Sequence, residues 1–588
     1  MFSFVQAQPY RDDIDGLRAL AVLAVIAFHC GYLPNGFLGV DVFFTISGFL
    51  ITGIIHRKVR DNSFSIIDFY LRRIRRIIPL ALLTVAVALA LGIITMLPDD
   101  LENLAQSVVA TNFFSNNILQ AITTKNYWDV VNEYKPLMHT WSLGVEEQFY
   151  LLYPYVLVLL GVKRDRFLLP MIAALAALSL ALYLSASYDD SQKFYLVYFR
   201  FWELAVGGIM AIALENKLIS HQFAIFPVAA LILLLSIDFS FMTSQVTLLI
   251  VIALTSMILT TANSTHLSSS FLLKNKLLVQ IGKISFSLYM WHQVVLAYSR
   301  YFWSQQLDTT QLLTVLALTL FLSILSYTYV ETPFRDKKRI STRTLLPTLA
   351  IVMITTTTLS LWIYFQAGVI RNVPELGISK ATATRHMHAL YNERIRDYDV
   401  DFHSTGKIRT LVVGNSFARD WINVLLESAY ANELEISYIE NGMDYKTLRQ
   451  RASTADVIFF SATTLHDVNK AEIDERKVWV IGTKNFGTNN GVFYNHRGPD
   501  YYQQRTEMES GYADANQRMK REWGSRYIDY IAKVVDKDNR VPVFSPSGQF
   551  ISQDCRHFTK SGAEYFAELL NSDLAAIFNP AELHASHK

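Results

Sequence analysis

Cysteine is almost missing from this chain: among 588 residues there are two, Cys30 inside an apolar run and Cys555 far along the sequence. Neither has a partner at metal-ligand spacing, so no disulfide framework and no metal site is supported. Charge is scarce too, at 18% of residues with a net value of +2. So small a net charge excludes a polyanion held by the overall field, and nucleic acid with it. What fills the space is 51% hydrophobic residue, 13% of the chain being aromatic. A sequence this oily at this length requires lipid around part of it.

Crossing ~30 Å of hydrocarbon takes about 20 apolar residues, and eleven such segments are predicted, near 14–33, 38–56, 77–97, 143–160, 167–186, 194–214, 221–239, 244–261, 278–302, 310–330 and 344–366. The first resembles a secretory signal but contains Arg18 and His29 and is followed at once by another apolar run, so it reads as a retained helix. Basic residues cluster in alternate connections: Arg57 to Arg76, Lys163 to Arg166, Lys274 with Lys276, and Arg335 to Arg343. These loops are expected in the cytoplasm, which puts the N-terminus inside and everything beyond residue 367 outside. The long outer loop, 98–142, holds Asn112, Phe113, Phe114, Tyr127, Trp128 and Trp141, the composition of an interfacial aromatic belt or of a sugar-facing surface.

After a polar linker the pattern changes to short apolar runs at 410–413, 434–439, 456–460, 478–481 and 541–544, separated by helical stretches. This alternation predicts a mostly parallel sheet covered on both faces. Gly414-Asn415-Ser416 follows the first run, and Asp554-Cys555-Arg556-His557 follows the last. An acid and a histidine three residues apart can share one turn, the carboxylate holding one ring nitrogen while the other faces a serine. The set Ser416, Asp554, His557 resembles the SGNH family of esterases and acyl-handling hydrolases over 408–580, implying an α/β/α three-layer, flavodoxin-like domain. Asn415 stands where that family usually has Asp, and its Gly-x-Asn block has no clear counterpart; Gly442 and Asn485 are the positional candidates for an oxyanion hole.

Ionisable groups inside membrane spans are functional hypotheses. Arg18 and His29 lie on one helix face, roughly 16 Å apart along the axis. His29 suits a general base or a transient acyl carrier, with Asp41 placed to orient its ring, or simply a buried histidine bonded to a neighbouring helix. Arg72, Arg73, Arg75 and Arg76 include i, i+3 pairs that can clamp phosphate as well as anchor the inner membrane face. Glu146 and Glu147 are expected at the outer end of the fourth span.

Four ordered blocks, residues 10–22, 39–51, the Arg-x-x-Arg cluster and Trp141 to Tyr150, with two more at 284–292 and 330–335, resemble the acyltransferase-3 family of membrane O-acyltransferases. The resemblance implies a ten-helix core over 8–340, an eleventh span and linker over 341–407, and an outward SGNH domain over 408–580. It further implies acyl-CoA, usually acetyl-CoA, as donor, bound from the cytoplasm with its phosphates near Arg18 and the arginine cluster and its thioester arm reaching toward His29. Glu146 and Glu147 would meet the acceptor, with Tyr150, His292 and Glu331 along the substrate path. The implied acceptor is a cell-envelope glycan such as lipopolysaccharide O-antigen or peptidoglycan, and the implied home is a bacterial inner membrane. A transporter would explain the spans, and an esterase on an inert anchor would explain Ser416; neither needs both sets of residues.

Overall fold

A computed structural model describes residues 10–123, 130–163, 165–215, 226–239, 241–261, 272–304, 306–381, 391–403, 406–440, 445–461, 463–464, 468–469, 471–487, 489–509, 511–552 and 554–579. The chain divides into two compact units, one of residues 1–94, 102–300 and 306–362, the other of 95–101, 301–305 and 363–588.

The apolar portion is helical: α1 (Asp12–His29), α2 (Gly39–Arg60), α3 (Ile66–Thr95), α4 (Pro98–Asn112), α5 (Asn116–Thr123), α6 (Trp141–Lys163), α7 (Asp165–Leu184), α8 (Val197–Glu215), α9 (Phe226–Ser236), α10 (Ser244–Thr261), α11 (Lys276–Lys283), α12 (Ser285–Phe302), α13 (Thr309–Ser326) and α14 (Thr342–Phe365). Among the described residues each of the eleven apolar segments overlaps helix. Seven helical stretches among the described residues are long and apolar enough to cross a membrane, and α9 and α10 are apolar but shorter. The protein is therefore a multi-pass membrane protein. Segment 278–302 is broken at Ile284 into α11 and α12.

Lipid offers helices no hydrophobic drive to associate, so close backbone approach has to supply it. Helices α2 and α8 meet at glycines: a Cβ on Gly48 would lie 1.8 Å from the Leu204 carbonyl oxygen, and one on Gly207 would lie 2.0 Å from that of Thr45. The described residues of the expected long outer loop are folded rather than open, into α4 and α5 for the most part. Several of its polar residues are buried: Asn112 Nδ2 donates to Thr356 and Thr357 at 3.0 and 2.9 Å, and Asn116 Nδ2 to the Leu137 carbonyl at 2.9 Å. Trp141 is buried.

The second unit carries β1 (Ile408–Gly414), α15 (Ser416–Leu426), β2 (Leu434–Glu440), α16 (Tyr445–Thr454), β3 (Val457–Ser461), β4 (Val478–Ile481), β5 (Arg505–Glu507), α17 (Tyr512–Trp523), β6 (Tyr527–Ile528), β7 (Arg540–Pro542), α18 (Lys560–Leu569) and α19 (Asn571–Phe578). Five strands form a parallel sheet in the order β2-β1-β3-β4-β6. Alternate residues feed two cores: Val412, Phe459 and Ile481 on one face, Leu411, Val413, Ile458, Phe460, Val478 and Val480 on the other. Burial on both faces is what makes these strands read as continuous apolar runs. One expected strand is corrected. The run 541–544 does not join the main sheet; Arg540–Pro542 pairs antiparallel with β5, and the fifth parallel strand is Tyr527–Ile528.

Candidate active sites

Within the helical unit a cavity is lined by Arg18, Arg73 and Arg76, by Ser47, Glu146 and Tyr150, and by Ser142 and Tyr289, with Val40, Phe43, Phe44, Ile46, Leu50, Ile77, Leu143, Ser285 and Phe286 making the rest of the wall. The arginines arrive from two helices. Arg18 comes from α1, where Asp15 one turn earlier lies 3.4 Å from its Nη1. Arg73 and Arg76, three residues apart on α3, share a face; Arg73 stacks 4.5 Å above the Tyr150 ring, and neither has an ion-pair partner among the described residues. Guanidinium groups facing a cavity unpaired are ready to take an anion, and their planar forks suit phosphate oxygens. Glu146 reaches the same cavity, its Oε1 accepting from Ser47 Oγ at 2.9 Å and its Oε2 from Tyr150 Oη at 3.2 Å.

From this cavity a polar line continues through Ser142 Oγ, 2.6 Å from Tyr289 Oη. Tyr289 Oη also donates to the His139 carbonyl at 2.8 Å. One turn along α12, His292 bonds to the Tyr289 carbonyl through Nδ1 at 2.6 Å, and its Nε2 is 3.0 Å from His29 Nδ1. The His139 ring lies against both Tyr289 and His292, at centroid distances of 5.3 Å each. Three histidines from three distant parts of the chain are thus gathered in one place.

In the second unit β1 ends at Gly414 and α15 begins at Ser416. Asn415 caps this helix, its Oδ1 accepting from the Phe417 N–H at 3.0 Å and from Ser461 Oγ at 3.0 Å. The side-chain oxygen required at an N-cap is supplied equally by Asn or Asp. Ser461 Oγ in turn accepts from the Asn415 N–H at 3.1 Å. The loop before α18 returns His557, whose Nε2 lies 2.7 Å from Ser416 Oγ and whose Nδ1 lies 2.6 Å from Asp554 Oδ2. Burial alone would raise the Asp554 pKa, but hydrogen bonds from the His557 ring and from the backbone at 556 and 557 outweigh it and hold the carboxyl below its ordinary range. The arrangement is that of a serine nucleophile, a base and an orienting carboxylate.

Behind this triad is a buried ion pair. Asp420, one turn after Ser416, has Oδ2 2.8 Å from Lys484 Nζ and 3.0 Å from the Phe558 N–H. Lys484 Nζ also sits 3.8 Å from the centre of the Phe417 ring. Burial lowers the Lys484 pKa, and Asp420 partly restores it. The pair ties the helix that begins at Ser416 to the loop that carries His557.

A family model described as "Acyltransferase domain" matches residues 11–328. The chain belongs to the acyltransferase-3 family. It is 31% identical over 362 residues to O-acetyltransferase OatA of Staphylococcus aureus strain NCTC 8325, covering 56% of this chain and 58% of that protein. A protein of S. aureus strain MSSA476 that carries an O-acetyltransferase name is 30% identical over 366 residues, covering 57% of this chain and 59% of its own length. The alignment thus spans less than two thirds of these relatives. No solved structure matches.

For this acyltransferase-3 protein the structure sorts the residues expected at the sites. Of the four clustered arginines, Arg73 and Arg76 line the cavity. Arg72 is exposed, and Arg75 turns away to donate to the Phe334 and Ile340 carbonyls at 3.0 and 2.9 Å and to Thr342 Oγ1 at 3.0 Å. Asp41, expected to orient His29, is instead ion-paired with Arg200 at 3.0 Å, while Arg200 also holds Glu203 at 2.8 Å. Glu146 shares its cavity with the arginines and so does not mark a separate acceptor mouth; Glu147 is not among the lining residues. Tyr150 lines the cavity, whereas Glu331 is engaged by Ser287 and Arg335. Gly442 lies outside the described residues. Asn485 uses Oδ1 to accept from the N–H groups of Gly487 and Glu509 at 2.9 and 3.0 Å, which makes it a turn former.

Sequence reasoning passed over Ser47, Ser142, Tyr289 and His139, all of which stood inside or beside the quoted blocks, Ser461, which stood at the end of the third apolar run of the second unit, and Asp420 and Lys484, which stood in none. Asp420 had one available signal, its position four residues after Ser416 on the same helix face.

Proposed function

We propose that the protein is an O-acetyltransferase that takes an acetyl group from acetyl-CoA at the membrane cavity and delivers it to a hydroxyl of a cell-envelope glycan, such as lipopolysaccharide O-antigen, outside the inner membrane. The observation that carries this reading is the couple Arg73 and Arg76, which has no ion-pair partner among the described residues and is joined in one cavity by Arg18. Phosphates of the donor bind there, and the polar line through Ser142 and Tyr289 leads its acyl end toward the histidines. His29 acts as general base: a hydroxyl oxygen forms the new C–O bond to the thioester carbonyl carbon, the C–S bond breaks, and the proton passes through His29 to the departing thiolate. Basic loops in alternate connections support a cytoplasmic N-terminus and an outward second unit. There Ser416 Oγ, giving its proton to His557 with Asp554 as orienter, attacks the carbonyl of the ester formed in the membrane, whose alcohol leaves with that proton; a glycan hydroxyl then attacks the serine ester, and Ser416 leaves with the glycan's proton.

The fully assembled Ser416, His557 and Asp554 set also supports a second reading, an outward esterase that removes acyl groups. Mass spectrometry of envelope glycans separates the two, using cells lacking the protein and complemented with wild type, His29→Ala or Ser416→Ala. Loss of acetyl groups in the null strain, restored by wild type and by neither variant, is the expected result. A rise of acetylation in the null strain establishes the esterase, and full restoration by His29→Ala sinks the membrane mechanism.

A further inference from the structure

His29 meets a second imidazole where a carboxylate was expected, and the backbone decides which nitrogens carry protons. His292 Nδ1 lies 2.6 Å from the carbonyl oxygen of Tyr289. A carbonyl only accepts, so Nδ1 carries the proton and the neutral ring keeps a lone pair on Nε2. That atom is 3.0 Å from His29 Nδ1, and the bond exists only if His29 Nδ1 donates. His29 Nε2 is then the unprotonated nitrogen.

The opposite assignment requires His292 to carry protons on both nitrogens. His292 is 2% exposed, and Arg300, itself buried, donates through Nη2 to the His29 carbonyl at 3.2 Å. The acid ion-paired with Arg300 among the described residues is Glu133, 3.3 Å away and half-exposed; Phe28, His139 and Tyr289 are among the rings packed against the two imidazoles. A second buried cation beside a guanidinium carries a heavy desolvation cost.

We propose that His292 is a positioning residue that locks His29 into the tautomer with Nδ1 protonated and Nε2 bare, doing with an imidazole and a main-chain carbonyl what a carboxylate does in a serine triad. The inference rests on the reading of His29 as general base. His29 Nε2 takes the hydroxyl proton as the C–O bond forms, and returns it to the thiolate as the C–S bond breaks, so that His29 ends the turn neutral. Throughout, the Nδ1–H bond to His292 holds the ring and stabilises the transient imidazolium.

Two measurements on the full-length protein test this. Histidine-selective 15N NMR in nanodiscs, with the His29 signals assigned by their loss in His29→Gln, is expected to show His29 protonated at Nδ1 and bare at Nε2. Glycan acetylation in complemented cells is expected to fall roughly 10²-fold in His292→Leu and to recover in part in His292→Gln, whose amide oxygen can accept from His29. Wild-type spectra with His29 bare at Nδ1 overturn the proposal, as does undiminished acetylation by His292→Leu in a background where His29→Ala is inactive. Undiminished acetylation by His29→Ala itself overturns the general-base reading as well. If His292→Leu fails to insert, the wild-type spectrum decides alone.

Discussion

Arg73 and Arg75 stand two residues apart on one helix and serve opposite surroundings, Arg73 facing the cavity and Arg75 bound to three oxygens of the segment 334–342. Two residues on a helix are 200° apart, so one cannot join the other's face. Alanine at Arg73 or Arg76 is expected to remove a charge-assisted phosphate contact of about 1.5–3 kcal/mol, raising KM for acetyl-CoA roughly 10- to 100-fold with little change in Tm. Alanine at Arg75 is expected to do the reverse, leaving KM alone and lowering Tm because it strands buried carbonyls. Arg72→Ala should change neither. Kinetics and thermal unfolding of the four purified variants check the assignment.

Gly414 sits at φ 144°, and a Cβ there would lie 1.9 Å from Ser461 Oγ. Ser461 holds Asn415, which caps the helix that begins at Ser416. Gly414→Ala is therefore expected to cost about 1–3 kcal/mol in backbone strain and to displace Ser416 as well. Hydrolysis of a small acetyl ester by the full-length protein should drop more than the loss of Tm accounts for. Normal esterase activity in Gly414→Ala would show that Ser416 is positioned by something else.

Much of this architecture was readable before any coordinates. Apolar runs located the helices, and the spacing of Asp554 and His557 announced their pairing, because both signals are local. Rotation about a helix axis is not: with four arginines in five positions, which two face the cavity depends on what packs against α3, and Arg75 is claimed by residues more than 250 positions away. Asp41 was misassigned for the same reason, since its partner Arg200 lies on a helix far along the chain. The fifth strand was missed because Tyr527–Ile528 is two residues long, too short for a period, whereas 541–544 has the composition of a central strand without occupying that place.

The depressed pKa of Asp554 makes a statement about pH. Folded, the carboxyl stays ionised below the ordinary value of about 3.9; unfolded, it takes up a proton there. The unfolded chain then binds more protons, so this contribution is fully present above about pH 4–5 and is lost as pH falls through the folded value. Asp554→Asn is expected to flatten that acid limb of the Tm profile. Because the Asp554 side chain is 40% exposed, the difference should shrink in high salt. The same substitution should lower ester hydrolysis by roughly 10³- to 10⁴-fold, as loss of an orienting carboxylate does in serine triads. Identical acid limbs for the two proteins would mean the pair contributes nothing to folding.

Asp420 and Lys484 are among the most completely buried charges of the second unit, their side chains 0% and 1% exposed. Removing one partner leaves the other charged in an apolar setting, at a cost of about 3–5 kcal/mol. Lys484→Met and Asp420→Asn are each expected to lower Tm strongly, and Asp420→Asn somewhat less, because an amide oxygen can still accept from the Phe558 N–H. The double variant should be more stable than the sum of the two predicts, since no charge is then left uncompensated; that non-additivity is the signature of direct coupling. Esterase activity separates support from packing. Asp420 holds the residue next to His557, so in a double variant that pairs Lys484→Met with Asp420→Leu, which offers the Phe558 N–H no acceptor, activity should remain low even where Tm recovers, with kcat reduced and KM for the ester unchanged. Recovery of Tm and kcat together would mean that the pair stabilises the domain without aligning His557 on Ser416.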